Sequence, residues 1–374
     1  MTTAALPETS RAIVVRRFGD DVTPEAVPVP TDLEPGALLV RTTAASICGT
    51  DLHLWAGELS LPVDLPVILG HEMVGEVVAI GEGAEKDSVD QPLVLGDRVI
   101  WTHTACGSCR FCLQGQPTLC RNRQGYMYQT CAEPPYLLGG FSEYVYVLPR
   151  SGRVRVPDAV PDDLASLASC ALRSVMKAFR ELGQLLPSQH LLIQGSGPLG
   201  LLAIAVAKTA GVRSVSVIGG PSERLEMCRR FGADVVLDVT ATSPEERASA
   251  IRTATDGIGP DVVMEFSGNP HAFAEGLALI APGGRYMVVG QLGQGAVEIT
   301  PATITAKNLA VLGSFSGGTR DYWDALRFLE VHGPNLPIGD LITGEYTLDT
   351  VQDAITAMRA EKEIKPVIRM QPRG

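Results

Sequence analysis

Residues 191–200, LLIQGSGPLG, run straight into LLAIAVAKTAG (201–211), and this junction decides the fold of the chain's second half. Four apolar or near-apolar residues lead into the turn Gly195-Ser196-Gly197-Pro198-Leu199-Gly200, and an apolar helical stretch follows at once. The pattern G-x-G-x-x-G is weak alone but becomes informative between a strand and a helix. Gly195 permits the tight turn, Gly197 lets a pyrophosphate approach the backbone, and Gly200 lets helix and strand pack closely. Pro198 and Leu199 open the helix, whose unpaired N–H groups would face phosphates.

Outward from this turn, near-continuous apolar runs recur at 214–219, 234–237, 261–266, 285–290 and 309–315, with helical stretches between them. Such alternation predicts a parallel sheet covered by helices on both faces, a doubly wound α/β domain of the Rossmann kind. At the end of the second strand, Ile218-Gly219-Gly220-Pro221-Ser222-Glu223-Arg224 places Gly219 where a carboxylate would hold the adenosine ribose. Without that carboxylate a 2′-phosphate is not repelled, and Arg224 would attract it. Both NAD and NADP therefore stand as cofactors. A helix is expected at 322–330 and another at 348–360, and a strand at 366–370 returns to the first half.

The first half reads differently. Short strands at 12–15, 37–42, 74–80, 98–101 and 143–147 are broken by Gly and Pro. Within it, Cys106, Cys109, Cys112 and Cys120 follow C-x-x-C-x-x-C-x7-C, half of the eight cysteines in fifteen residues. Four thiolates so spaced close a tetrahedron round one zinc and leave no position open, which makes the site structural. A second, dispersed set of ligand types, Cys48, His71, Glu72 and Cys170, points to an open, catalytic zinc.

The bulk composition agrees with a metalloenzyme acting on small molecules. With 374 residues the chain is long enough for two domains. Its 31 basic and 42 acidic residues give a formal charge of -11, which disfavours nucleic acid and anionic membrane as partners. No apolar run approaches the roughly 20 residues that cross a bilayer. The opening MTTAALPETSRAIVV has neither a signal-peptide nor a transit-peptide layout, so a cytoplasmic, reducing setting is expected.

The succession of Ile47-Cys48-Gly49-Thr50-Asp51-Leu52-His53, Gly70-His71-Glu72, Gly96-Asp97-Arg98-Val99, the cysteine cluster and the Gly-rich turn resembles the zinc-dependent medium-chain alcohol dehydrogenase family, from about residue 12 to 370. The resemblance implies a discontinuous GroES-like, mainly β catalytic domain with a structural zinc lobe (1–171 and 316–374) around a Rossmann domain (172–315). It implies two zinc ions per chain. Cys48, His71 and Cys170 would bind the catalytic one, with Glu72 close to it as an occasional ligand. Polyol-type relatives carry Glu in the region of Cys170.

By the same resemblance Asp51 accepts a hydrogen bond from His71, Thr50 contacts the alcohol, and His53 ends a proton relay to solvent. An imidazole suits that last task because its pKa is near neutrality. Lys365 would meet the cofactor pyrophosphate, while Gly49 stands where some relatives have a phosphate-binding Arg. Trp55, Tyr126, Tyr128 and Met176 are candidates for the substrate pocket. The implied activity is reversible oxidation of an alcohol to an aldehyde or ketone with hydride transfer to NAD(P), by a homodimer or homotetramer. The rivals are a polyol- or threonine-type dehydrogenase of the same superfamily, a zinc-free quinone reductase, and a non-catalytic zinc- and nucleotide-binding protein.

Overall fold

The computed structural model describes residues 6–59, 61–291, 293 and 295–370. Its chain divides into two compact units: Met1–Arg173 with Gly317–Pro334 and Ile338–Gly374, and Ser174–Ser316 with Asn335–Pro337.

The first unit contains β1 (Thr9–Val15), β2 (Pro24–Pro28), β3 (Leu38–Ser46), β4 (Val67–Ile68), β5 (Met73–Ile80), β6 (Arg98–Thr104), β7 (Tyr144–Val147) and β8 (Ser151–Arg155). After the second unit the chain returns as β15 (Glu345–Tyr346) and β16 (Val367–Arg369). The main sheet runs β15-β16-β3-β5-β6-β8, with β7 also on β3, and β2-β1-β4 form a smaller one. Strand β3 is central. It pairs antiparallel with β5, β7 and β16, and Leu38, Leu39, Val40, Ala44 and Ala45 are fully buried. Its two ends, Leu38–Val40 and Ala44–Ala45, are apolar as burial demands, and Arg41 and Thr43 are its half-buried polar residues. Ile13, Leu54, Trp101, Tyr126 and Phe141 complete the core beside it.

The second unit is a parallel sheet of β9 (His190–Gln194), β10 (Ser214–Gly219), β11 (Val235–Asp238), β12 (Val262–Glu265), β13 (Arg285–Val288) and β14 (Ala310–Gly313). The order is β11-β10-β9-β12-β13-β14. The chain moves outward from β9 through β11, then crosses to β12 on the other side of β9. The strand order thus reverses beside the turn that follows β9, the place where doubly wound sheets bind ligands. The helix after that turn, Pro198–Thr209, buries every residue from Gly200 to Ala207.

Four elements differ from expectation. The run at 309–315 yields only Ala310–Gly313, and most of it is exposed because it closes the sheet at an edge. The helix expected at 322–330 starts earlier, at Thr319, where the Asp321 carboxylate accepts the Gly318 N–H at 2.8 Å and caps it. Strands β2 and β8 were not visible as apolar alternation. Pro24 and Pro28 bound the first, and Arg153 and Arg155 lie within the second.

Candidate active site

Two groups of ligand-type side chains converge in the first unit, each with donor atoms within 4.8 Å of one another: Cys106, Cys109, Cys112 and Cys120, and Cys48, His71, Glu72 and Cys170. In the first group the Sγ–Sγ distances are 3.5 Å (Cys109–Cys112), 3.9 Å (Cys109–Cys120) and 4.0 Å (Cys106–Cys112). Four sulfurs at ~2.3 Å from a tetrahedral zinc would stand about 3.8 Å apart, so the donor set fits the ion. Backbone N–H groups of Cys106 and Cys109 donate to Cys120 Sγ and Cys106 Sγ at 3.2 and 3.3 Å. The N–H groups of Ser108 and Cys109 draw the Cys106 thiol down to about 5, toward the thiolate that metals take. All eight cysteines are free of disulfides.

The second group is organised by a helix N-terminus. Cys48 caps the helix Gly49–Ala56, its sulfur accepting the Thr50 N–H at 3.3 Å, while Asp51 turns back to accept the Cys48 N–H at 2.8 Å. Asp51, wholly buried, also accepts the Gly70 N–H at 3.2 Å. This ties the start of the helix to the residue before His71. His71 Nε2 stands 3.4 Å from Cys48 Sγ and 3.3 Å from Cys170 Sγ. Sulfur and nitrogen ligands on one tetrahedral zinc would be about 3.5 Å apart, so these three side chains also fit. A hydrogen bond from Cys48 holds the Cys170 thiol well below its usual range despite burial. Burial pushes Cys48 up to about 12.

His71 Nδ1 faces Asp51 Oδ1 at 3.6 Å. That is ion-pair distance rather than the expected hydrogen bond, since both Asp51 oxygens already serve backbone N–H groups. Burial opposes charge on His71, yet Cys48, Cys170 and Asp51 raise its pKa well above the usual value.

Lys365 requires a correction. It is 1 % exposed, and its ammonium pairs with Glu72 Oε2, so it does not stand free for a cofactor pyrophosphate. β16 and the Ile47 N–H bonded to Pro366 carry it into the interior of the first unit. Ser46 Oγ donates to the same Glu72 oxygen at 2.5 Å, whereas Glu72 Oε1 has no hydrogen-bond partner. Thr50 and His53 lie three apart on one helix, hence on neighbouring positions of one face. The His53 ring is exposed and meets Glu58 Oε2 at 3.0 Å.

In the second unit Gly195 has φ +111°, and a Cβ there would meet Ser267 N at 2.8 Å. A Cβ at Gly200 would meet Gly195 O at 2.0 Å, so helix and turn touch only because it is glycine. Gly197 opens onto free space and caps the helix, with Pro198 and Leu199 in its first turn. At the end of β10, a Cβ on Gly219 would strike Ser196 Oγ at 2.6 Å, whereas one on Gly220 would meet nothing closer than 3.7 Å. Glycine at 219 is therefore a packing requirement, and Gly220 is the open position. Arg224 lies in the first turn of the next helix, Ser222–Arg230.

Of the pocket candidates, Trp55 and Tyr126 are core: Trp55 Nε1 donates to Asp20 O at 2.7 Å, and Tyr126 bonds Ser151 Oγ at 2.8 Å. Tyr128 stays half-buried near the site, and Met176 is half-buried in the second unit. Sequence reading passed over His103, whose ring stacks on that of His71 with centroids 6.4 Å apart, and the buried Arg173 three residues after Cys170. The one available signal was that His103, one of six histidines, precedes Cys106 by three residues.

Comparison with known proteins agrees with this geometry. Residues 34–158 match the alcohol dehydrogenase GroES-like domain, and residues 198–330 match the zinc-binding dehydrogenase domain. The chain is 31% identical over 340 residues to 5-exo-hydroxycamphor dehydrogenase of Pseudomonas putida, covering 90% of this chain and 92% of that one. It is 34% identical over 360 residues to L-threonine 3-dehydrogenase of Pyrococcus abyssi, covering 95% and 96%. Among solved structures it superposes on an alcohol dehydrogenase from Thermotoga maritima with TM-score 0.91 and 30% identity, over 96% of this chain and 99% of that one. A zinc-binding dehydrogenase from Sinorhizobium meliloti, solved with NADP, follows with TM-score 0.84 and 28% identity over 97% and 100%. With its paired thiol–imidazole donor set, its four-cysteine lobe and its Gly-rich turn, the chain belongs to the zinc-dependent medium-chain alcohol dehydrogenase family.

Proposed function

We propose that Cys48, His71 and Cys170 hold the catalytic zinc of this NAD(P)-dependent dehydrogenase, and that Cys106, Cys109, Cys112 and Cys120 hold a structural one. The zinc at the first set supplies Lewis acidity that makes an alcohol oxygen easier to deprotonate. The nicotinamide supplies the hydride acceptor. Asp51 keeps the His71 ring turned so that Nε2 faces the two sulfurs. Thr50 takes the alcohol proton, and His53, exposed on the same helix face, releases it to solvent. Lys365 pairs with one oxygen of Glu72, the carboxylate that lies beside the three donors. Gly195, Gly197 and Gly200 seat the pyrophosphate at the start of the following helix.

The observation that carries this reading is the pair of sulfurs at 3.3 and 3.4 Å on one imidazole nitrogen, with a carboxylate behind the other. Metal analysis should find about two zinc ions per chain, and Cys170→Ser should lose one of them with nearly all hydride transfer while nucleotide binding persists. Full zinc and full turnover in that variant would make Glu72 the third ligand and move the enzyme toward its polyol-type relatives. A threonine-type substrate uses the same machinery, and the relative from Pyrococcus favours testing it first among amino alcohols.

Eight cysteines free of disulfides support a reducing, cytoplasmic setting. The open edge at β14, with Ala310, Val311 and Gly313 exposed, supports pairing between copies as a homodimer or homotetramer.

A further inference from the structure

Glu265 ends β12, the strand beside β9, and is fully buried. Its Oε1 accepts two hydrogen bonds, from Ser267 Oγ and from the Gly268 N–H, each at 2.7 Å. Its Oε2 has no hydrogen-bond partner. The Glu265 carbonyl accepts the N–H groups of Val289 and Gly290 at 3.0 Å, which joins the ends of β12 and β13. Holding the Ser267–Gly268 turn takes one acceptor oxygen, and a neutral Ser or Asn side chain commonly supplies it. A carboxylate buried with an idle oxygen is costly. The turn alone leaves that cost unexplained.

The position of Glu265 supplies a use for the charge. Phe266 N–H donates to Gln194 O at 2.8 Å, at the end of β9, and a Cβ on Gly195 would meet Ser267 N at 2.8 Å. The segment after Glu265 therefore packs against the Gly-rich turn, where the strand order of the sheet reverses. A dinucleotide across such a crevice sets its pyrophosphate on the Gly-rich turn and one mononucleotide over each half of the sheet. With the adenosine ribose at the end of β10, the nicotinamide half falls to β12 and β13. The nicotinamide ring is cationic when oxidised and neutral when reduced. A buried charge is screened far less than an exposed one, so it acts over several ångströms.

We propose that Glu265 sets the preference of this enzyme between the two oxidation states of its cofactor: the buried carboxylate favours the cationic, oxidised nicotinamide over the neutral, reduced one. Oxidised cofactor is then captured for alcohol oxidation, and hydride transfer to the ring cancels the attraction that held it. The inference rests on the nucleotide-binding reading of the Gly-rich turn and deepens it.

The test measures Kd for the oxidised and reduced forms of NAD and of NADP by titration calorimetry on zinc-loaded protein. Glu265→Gln keeps an oxygen for Ser267 and Gly268 and removes the charge. It should lower the reduced-to-oxidised Kd ratio by roughly three- to thirtyfold, almost wholly through weaker binding of the oxidised form. Glu265→Asp keeps the charge and should hold that ratio within about twofold, whatever it costs the turn. A ratio unchanged in Glu265→Gln, or both forms weakened alike, would make Glu265 a brace for the turn and overturn the proposal. An Asp variant whose ratio falls by roughly threefold or more would overturn it as well, and decides alone should Glu265→Gln not fold. Unaltered protein that binds neither form would overturn the nucleotide reading itself.

Discussion

A buried ion pair joins Lys365 to Glu72, one of the four convergent ligand-type side chains. Both side chains are 1 % exposed. Burial, with Cys48 adding to it, drives Glu72 toward its neutral form, and Lys365 opposes. Lys365→Met would strand a buried carboxylate, at a cost of about 3–5 kcal/mol. Adding Glu72→Gln should recover much of that, because a buried pair replaced together often costs little. Denaturant unfolding of the two single variants and the double variant checks the non-additivity, and additive losses would mean the pair is not coupled. Cofactor choice is also decided at single residues. Since Gly219 has no room for a side chain and Gly220 does, Gly220→Asp should turn preference toward NAD by on the order of tenfold through repulsion of a 2′-phosphate. Steady-state kinetics with both cofactors measures it, and an unchanged ratio would place ribose recognition elsewhere.

At the scale of elements, the two metal groups differ in what they hold. The four-cysteine lobe has little regular structure: a single turn of helix, Arg110–Leu113, and the short 3-10 turn Pro117–Leu119. Leu113 and Leu119 are exposed, so the lobe has almost no apolar core of its own. Its fold must therefore come from the metal, whose binding is folding free energy in such segments. Cys109→Ser should release one zinc and lower the melting temperature by several degrees, as a loss of a few kcal/mol does in a chain of this size. The reaction type should be unaltered. Zinc content measured beside calorimetry checks it, and lost activity at full zinc with unchanged melting would contradict the structural role. The helix Gly49–Ala56, by contrast, is held by its own caps, and so presents Cys48 and Thr50 from a fixed start.

For the molecule as a whole, the ligand-type side chains and the Gly-rich turn belong to separate compact units. Among the described residues, both groups of ligand-type side chains lie in the first, and the Gly-rich turn lies in the second. Strand β14 is one of the two edges of the second unit's sheet. Val311 is 37 % exposed there. Val311→Lys should blunt that edge and shift the mass seen by light scattering toward a smaller species, because edge charges oppose strand pairing. An unchanged mass would locate association on another surface.

The sequence by itself determined the alternation of strands and helices in the second unit, the closed cysteine cluster, and the types of ligand at 48, 71 and 170. The first two rest on local spacing: period, turn chemistry, or thiols a few residues apart. Cys170 depended on resemblance, since ninety-nine residues separate it from His71 and no local rule joins them. Tertiary structure alone decided that Lys365 is buried against Glu72 and that Gly219 is glycine because of Ser196. It also decided that His103 stacks on His71 and that Arg173 lies over the Tyr322 ring. These are contacts between distant segments, made when β16 returns to β3 and the helix Thr319–His332 packs back on the first unit. A sequence records which charges exist, whereas burial and partners decide what each charge does.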